Sequence, residues 1–170
     1  MLSGVSTYSI RGVLPAAAKV ALARSRNDRA CPDPALNTPD TAGEAVTLFR
    51  SHNPAYADGG QMRDFVFVDD VVDIVDWLLD TPAVSGVFNA GSGQARSFLD
   101  LANATFAAAG KEARVDYVDT PESIRDKYQY FTEARMERVR AAGFGGQSTP
   151  LEEGVRRYVQ DFLAMADPYR

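Results

Sequence analysis

Arg63 has the greatest chemical interest in this sequence: it follows the polar loop Arg50 to Gln61 and starts the apolar run Arg63 to Val68. A planar guanidinium with fixed donors can pair two oxygens of a diphosphate at once, and a loop beside it can fold over such a ligand. His52, in that loop, is the single histidine. Its intrinsic pKa suits proton transfer near neutrality, but without a nearby partner in sequence it reads as a polar contact. Phe49 taken alone reads as core, and Tyr128, if buried, needs a partner for its hydroxyl. Gly91-Ser92-Gly93 imitates the opening of a dinucleotide-binding G-x-G-x-x-G. Arg96 stands where the third glycine belongs, so the turn is read as a strand-to-helix connection.

The elements that must position these residues alternate between strand-like and helix-like runs, an α/β pattern. Ala45 to Phe49, Arg63 to Val68, Gly86 to Ala90 and Arg114 to Val118 read as strands, the third of them buried. A helix over 69–80 is expected to start at Asp69 or Asp70 as cap and to end at Pro82. A second, over 97–109, has Ser97 and Asp100 spaced as a capping box, with Leu99, Leu101, Ala102, Thr105 and Phe106 as its inner stripe. Thr149-Pro150-Leu151-Glu152 reads as a third helix start, with threonine as cap.

Of the 170 residues, 45% are hydrophobic and 24% charged, which fits one globular core. The net charge of −5 argues against nucleic acid or an anionic membrane as partner, since either needs clustered cations. Cys31 is the one cysteine, so neither an intrachain disulfide nor a thiolate metal cluster is expected. No metal ligands are assigned, and a reducing cytoplasm is the expected location. Residues 1–42 lack Phe, Trp and His and gather Pro32, Pro34 and Pro39. They read as an atypical, poorly ordered segment ahead of a domain over 43–165 and a tail over 166–170.

Arg63-Asp64-Phe65-Val66-Phe67-Val68-Asp69-Asp70, followed by Gly86-Val87-Phe88-Asn89-Ala90-Gly91-Ser92-Gly93, resembles two consecutive hallmarks of extended short-chain dehydrogenase/reductases that act on nucleotide sugars. Leu48-Phe49-Arg50-Ser51-His52, Arg63-Asp64-Phe65 and Asp126-Lys127-Tyr128-Gln129-Tyr130-Phe131-Thr132 are similar to the ADP-glycero-manno-heptose 6-epimerase branch of that family. The resemblance implies the C-terminal portion of such an enzyme, a partial Rossmann-type sheet plus a substrate-binding subdomain. It implies an ADP-sugar substrate contacted by Phe49, Arg50, Ser51, His52, Arg63 and Tyr128, with Tyr130 and Phe131 packing. The resemblance implies that full-length family members hold NADP, invert one carbon of an ADP-linked heptose for the lipopolysaccharide core through a transient keto intermediate, and leave room for a homo-oligomer.

Epimerisation of that kind needs a hydride carrier and a proton-moving group. The family's Tyr-x-x-x-Lys pair has no counterpart here, since no tyrosine is followed four positions later by lysine. No catalytic or cofactor-binding residue is therefore assigned, and this chain alone is expected neither to hold NADP nor to turn substrate over. The resemblance begins abruptly at Gly43, and Ser25-Arg26-Asn27 stands where the family has His-Lys-Gly. A shifted reading frame or a misplaced start accounts for both, and translating the upstream DNA in the other two frames tests it. Two alternatives stay open. One is an interaction module using apolar faces of the 69–80 and 97–109 helices; the other is a different nucleotide-sugar epimerase or dehydratase.

Overall fold

A computed structural model describes residues 45–164; the readings made for 1–42 and 166–170 lie outside the described residues. The elements in order are β1 (Val46–Phe49), β2 (Met62–Asp64), α1 (Val68–Asp80), β3 (Ala95–Ser97), α2 (Phe98–Ala108), β4 (Val115–Val118), α3 (Glu122–Arg125), α4 (Glu137–Ala141) and α5 (Leu151–Arg157), which runs into a π-turn, Tyr158–Leu163. β1 pairs in parallel with β4, Leu48 opposite Tyr117, and β2 pairs antiparallel with β3, Arg63 opposite Arg96. The mixed α/β class expected from the sequence is what forms.

Helix α2 is the centre of the fold. Its start carries the expected capping box: the Ser97 hydroxyl accepts from the Asp100 amide at 3.0 Å and the Asp100 carboxylate accepts from the Ser97 amide at 3.1 Å. Phe98, Ala102 and Phe106 bury against Val46 and Leu48 of β1, while Leu101 and Ala104 face Val155 of α5. Side chains of α2 are thus used on two sides, toward β1 and toward α5. Helix α1 differs. Ile74 packs with Met136 and Val139, but Leu79 is 72% exposed.

Several local expectations are corrected. Gly86 to Ala90 forms no strand, and Val87 is 70% exposed rather than buried; among the described residues no strand pairs with this segment. The run Arg63 to Val68 keeps strand geometry only at Met62–Asp64, because Phe67 already serves as the N-cap of α1. Neither Asp69 nor Asp70 caps that helix; both lie in its first turn. Asp70 instead accepts from the Thr149 amide at 2.7 Å and the Thr149 hydroxyl at 2.6 Å. Thr149 is thereby diverted from capping α5, whose N-cap is Pro150. This pair ties the starts of two helices together, and sequence spacing does not reveal a bond across 79 residues. Phe131, expected to pack, is 50% exposed.

A charged cluster locks α5 to α2. Arg96 meets Glu152 at 2.6 Å and Asp100 at 3.3 Å. The hydrogen bond from Arg96 holds the Glu152 carboxyl below its ordinary range. At Asp100 burial pushes upward, but the bonds from Ser97 and Arg96 outweigh it and the net direction is down. Glu153, on the solvent side, is lowered to about 2 by bonds from Arg156 and Arg157. Carboxyls lowered in the folded state stabilise it above their ordinary pKa and cease to do so as pH falls through the folded value. Thermal midpoints of the chain are therefore expected to fall as pH drops from about 4.5 toward 2. Glu152→Gln should make that fall shallower; an unchanged slope would show that the α2–α5 cluster contributes nothing, as exposed pairs often do.

Candidate sugar-nucleotide site

The residues picked out by sequence converge on one corner of the fold. Strand β1 delivers Phe49 at its end, and the Gln61 side chain, itself buried, donates to the Phe49 carbonyl at 3.3 Å. The loop that follows is closed by Gly59, whose amide donates to the same carbonyl at 3.0 Å. Gly59 has φ +69°, and a Cβ there would stand 2.9 Å from Leu48 Cδ1, so this close return of the loop onto the core requires glycine.

Phe49 meets Tyr128 edge to face, ring centroids 6.0 Å apart. The Arg63 guanidinium carbon lies 5.3 Å from the Tyr128 ring centre and 5.7 Å from that of Phe98. One of its nitrogens donates to the Met62 carbonyl at 2.8 Å. Among the described residues no carboxylate forms an ion pair with it. The half-buried cation is thus oriented by two π faces and keeps further donors for an anion.

Arg50 is engaged by carboxylates of its own loop and of the segment after β4. Its guanidinium is within 3.6 Å of Asp119 and 4.0 Å of Asp58, and its amide and carbonyl serve Val118 and Thr120. Ser51 is likewise engaged, its amide donating to Asp58 and its hydroxyl to the Asn53 carbonyl. The His52 amide donates to the Tyr130 hydroxyl at 2.9 Å, while the residue itself is exposed. Phe49, Arg63 and Tyr128 therefore form one contiguous group; His52 joins it through Tyr130, and the side chains of Arg50 and Ser51 are held by their own loop.

Sequence reasoning passed over Asp64. One of its oxygens accepts from the Ser92 amide at 2.7 Å and the Ser92 hydroxyl at 2.6 Å; the other accepts from the Gly93 amide at 2.9 Å and the Ala134 amide at 2.8 Å. The signal was present: a carboxylate beside Arg63 and, farther on, a turn with two glycines. The same bonds explain the turn. Backbone N–H groups of the kind that cradle phosphate are here consumed by an internal carboxylate, so Gly91-Ser92-Gly93 does not fit a dinucleotide's pyrophosphate. No group of three or more His, Cys, Asp or Glu side chains among the described residues is placed to hold a metal. No helix among them is long and apolar enough to cross a membrane.

Residues 34–91 match the family described as the NAD dependent epimerase/dehydratase family. Over 124 residues the chain is 53% identical to an ADP-L-glycero-D-manno-heptose-6-epimerase of Nitratidesulfovibrio vulgaris (strain DP4), and over 130 residues 44% identical to the enzyme of that name from Fusobacterium nucleatum. Each match takes in 73% of this chain, which spans 38% and 39% of the two relatives. Among solved structures, the Thermus thermophilus UDP-glucose 4-epimerase complex with NAD is similar at TM-score 0.54 and 26% identity, covering 67% of this chain and 34% of that one. The dTDP-glucose 4,6-dehydratase of Bacillus anthracis, at TM-score 0.53 and 20% identity over 69% of this chain and 34% of its own, shares the fold. Over residues 34–91 the chain is similar to the NAD dependent epimerase/dehydratase family.

Proposed function

We propose that this chain provides the substrate-holding half of a nucleotide-sugar epimerase, and that the sugar nucleotide is of the ADP-heptose type. The observation that carries this reading is Arg63, a half-buried guanidinium oriented by Tyr128 and Phe98 and paired with no carboxylate among the described residues. A diphosphate meets that donor set bidentately, while Tyr128, backed by the buried Phe49 ring, walls the site and the loop 50–58 lies beside it. The names of the 53% and 44% identical relatives supply the choice of sugar nucleotide. In the whole enzyme NADP would carry the hydride; these residues do not fit that cofactor, and no hydride or proton step is assigned to them. We read the 170 residues as binding substrate without turning it over, in the cytoplasm, at a step that feeds the lipopolysaccharide core.

Calorimetric titration of the chain with ADP-β-D-mannose, and separately with NADP, tests the proposal. Saturable binding of the sugar nucleotide and none of NADP is expected. Arg63→Ala should weaken binding at least about tenfold, the order of magnitude of a lost hydrogen-bond pair to a charged group. Absence of binding to the unmodified chain, or equal binding by Arg63→Ala, would overturn the assignment.

A further inference from the structure

Tyr130 touches each of the three segments that make up the candidate site. Its carbonyl accepts from the Met62 amide at 2.8 Å, one residue before Arg63. Its ring packs edge to face on Tyr128, centroids 5.4 Å apart, and lies at 5.2 Å from Tyr56 on the far limb of the 50–58 loop. Its hydroxyl accepts from the His52 amide at 2.9 Å, a tie between residues 78 apart in sequence.

The loop has its own internal framework. Ser51 bonds Asp58 and Asn53, and the Asn53 side chain and carbonyl accept from the amides of Ala55 and Tyr56. These bonds give the loop a shape but do not fix where that shape sits relative to Arg63 and Tyr128. Backbone tethers at its base, Gly59 to Phe49 and Phe98 to Gln61, lie at the β1 and β2 ends rather than at the tip. Tyr130 supplies contacts that register the tip against the opposite wall: the hydroxyl to His52 and the ring to Tyr56.

We infer that Tyr130 is a positioning residue for sugar-nucleotide binding, setting the His52 limb of the loop at the distance from Arg63 and Tyr128 at which both walls engage one ligand. This rests on the reading of the site given above. Tyr130 itself need not touch the ligand. Its effect follows from preorganisation: a loop held in place before binding loses less freedom on binding, and the tie is one ordinary hydrogen bond in size.

The test is Tyr130→Phe, which removes the hydroxyl and leaves the ring contacts with Tyr56 and Tyr128. Titrations of the unmodified and variant chains with ADP-β-D-mannose and with ADP are paired with amide hydrogen exchange across 51–58 and with thermal unfolding. Expected are a loss of about five- to tenfold in ADP-β-D-mannose affinity, faster exchange at His52 and its neighbours, and a thermal midpoint within about 2 °C of the unmodified chain. A fold-neutral loss of affinity with a loosened loop is not produced by a residue that only fills space. If the unmodified chain binds the sugar nucleotide and Tyr130→Phe binds it equally, the positioning role is wrong while the site stands. If the unmodified chain binds neither compound, the site reading falls and the positioning role with it. A variant whose midpoint drops in step with its affinity assigns Tyr130 to the fold alone and also overturns the inference.

Discussion

Asp64→Ala is expected to lower the stability of the chain by about 3 kcal/mol, measured from urea unfolding midpoints at constant slope. The carboxylate accepts from four donors on two separate segments, the turn at Ser92 and Gly93 and the strand-like stretch at Ala134. Its removal leaves three amides without acceptors, while the Ser92 hydroxyl keeps the Gln94 carbonyl at 3.1 Å. Bonds to a charged acceptor contribute about 1.5–3 kcal/mol each, but the site is only half-buried, so water can restore part of the loss and the full sum is not expected. Asp64→Asn keeps the shape and one acceptor oxygen and should cost less, about 2 kcal/mol, the remaining cost arising where its amide nitrogen faces donors. Asp69→Ala, an exposed carboxylate in the first turn of α1, is the matched control at no more than about 1 kcal/mol. Equal effects of Asp64→Ala and Asp69→Ala would show that the Asp64 bonds do not hold the turn in solution.

Gly91→Ala is expected to cost about 2–3 kcal/mol, a typical penalty for overpacking. Gly91 is buried, and a Cβ built on it falls well inside contact of Ala134 Cβ and 2.8 Å from an Asp64 oxygen. Gly145→Ala is the control, since a Cβ there meets nothing within 4 Å; it should stay within about 0.5 kcal/mol. Combined with Asp64→Ala, the cost of Gly91→Ala should be less than additive, because one of the two clashing groups is gone. The double-mutant cycle also separates two meanings of a glycine-rich turn. A phosphate loop keeps glycine so that a ligand can approach; here glycine is needed because Ala134 and the protein's own Asp64 carboxylate approach, and the cost should appear with no ligand present. A Gly91→Ala chain as stable as the unmodified one would remove the packing argument.

The two substitutions bear on the site as well as on the fold. Asp64 is next to Arg63 on β2, and β2 also bonds Tyr130 through Met62. Loosening the turn therefore frees the strand that aims the guanidinium, and part of any loss of ligand affinity in Asp64→Ala should track its loss of stability. Arg63→Ala, which removes no buried acceptor or donor pair beyond a bond to Met62, should separate the two effects.

What the sequence determined by itself are features written in local spacing. Ser97 and Asp100, three residues apart, specify the start of α2, and the stripe of Leu101, Ala102, Thr105 and Phe106 specifies its buried side. Strands β1 and β4 follow from short β-branched and aromatic runs, and motif resemblance located Phe49, Arg63 and Tyr128 before any contact among them was visible. Tertiary structure decided everything that depends on partners distant in the chain. Asp70 and Thr149 both read as caps, yet each satisfied the other across 79 residues, because a buried carboxylate takes whatever donors the packing brings to it. Gly86 to Ala90 has strand composition but forms no strand, since a strand exists only where a neighbour completes its ladder. Asp64 and Tyr130 gave no periodic signal because each acts through bonds to segments 28 to 78 residues away, and separations of that kind are fixed by how helices and strands stack, not by residue order.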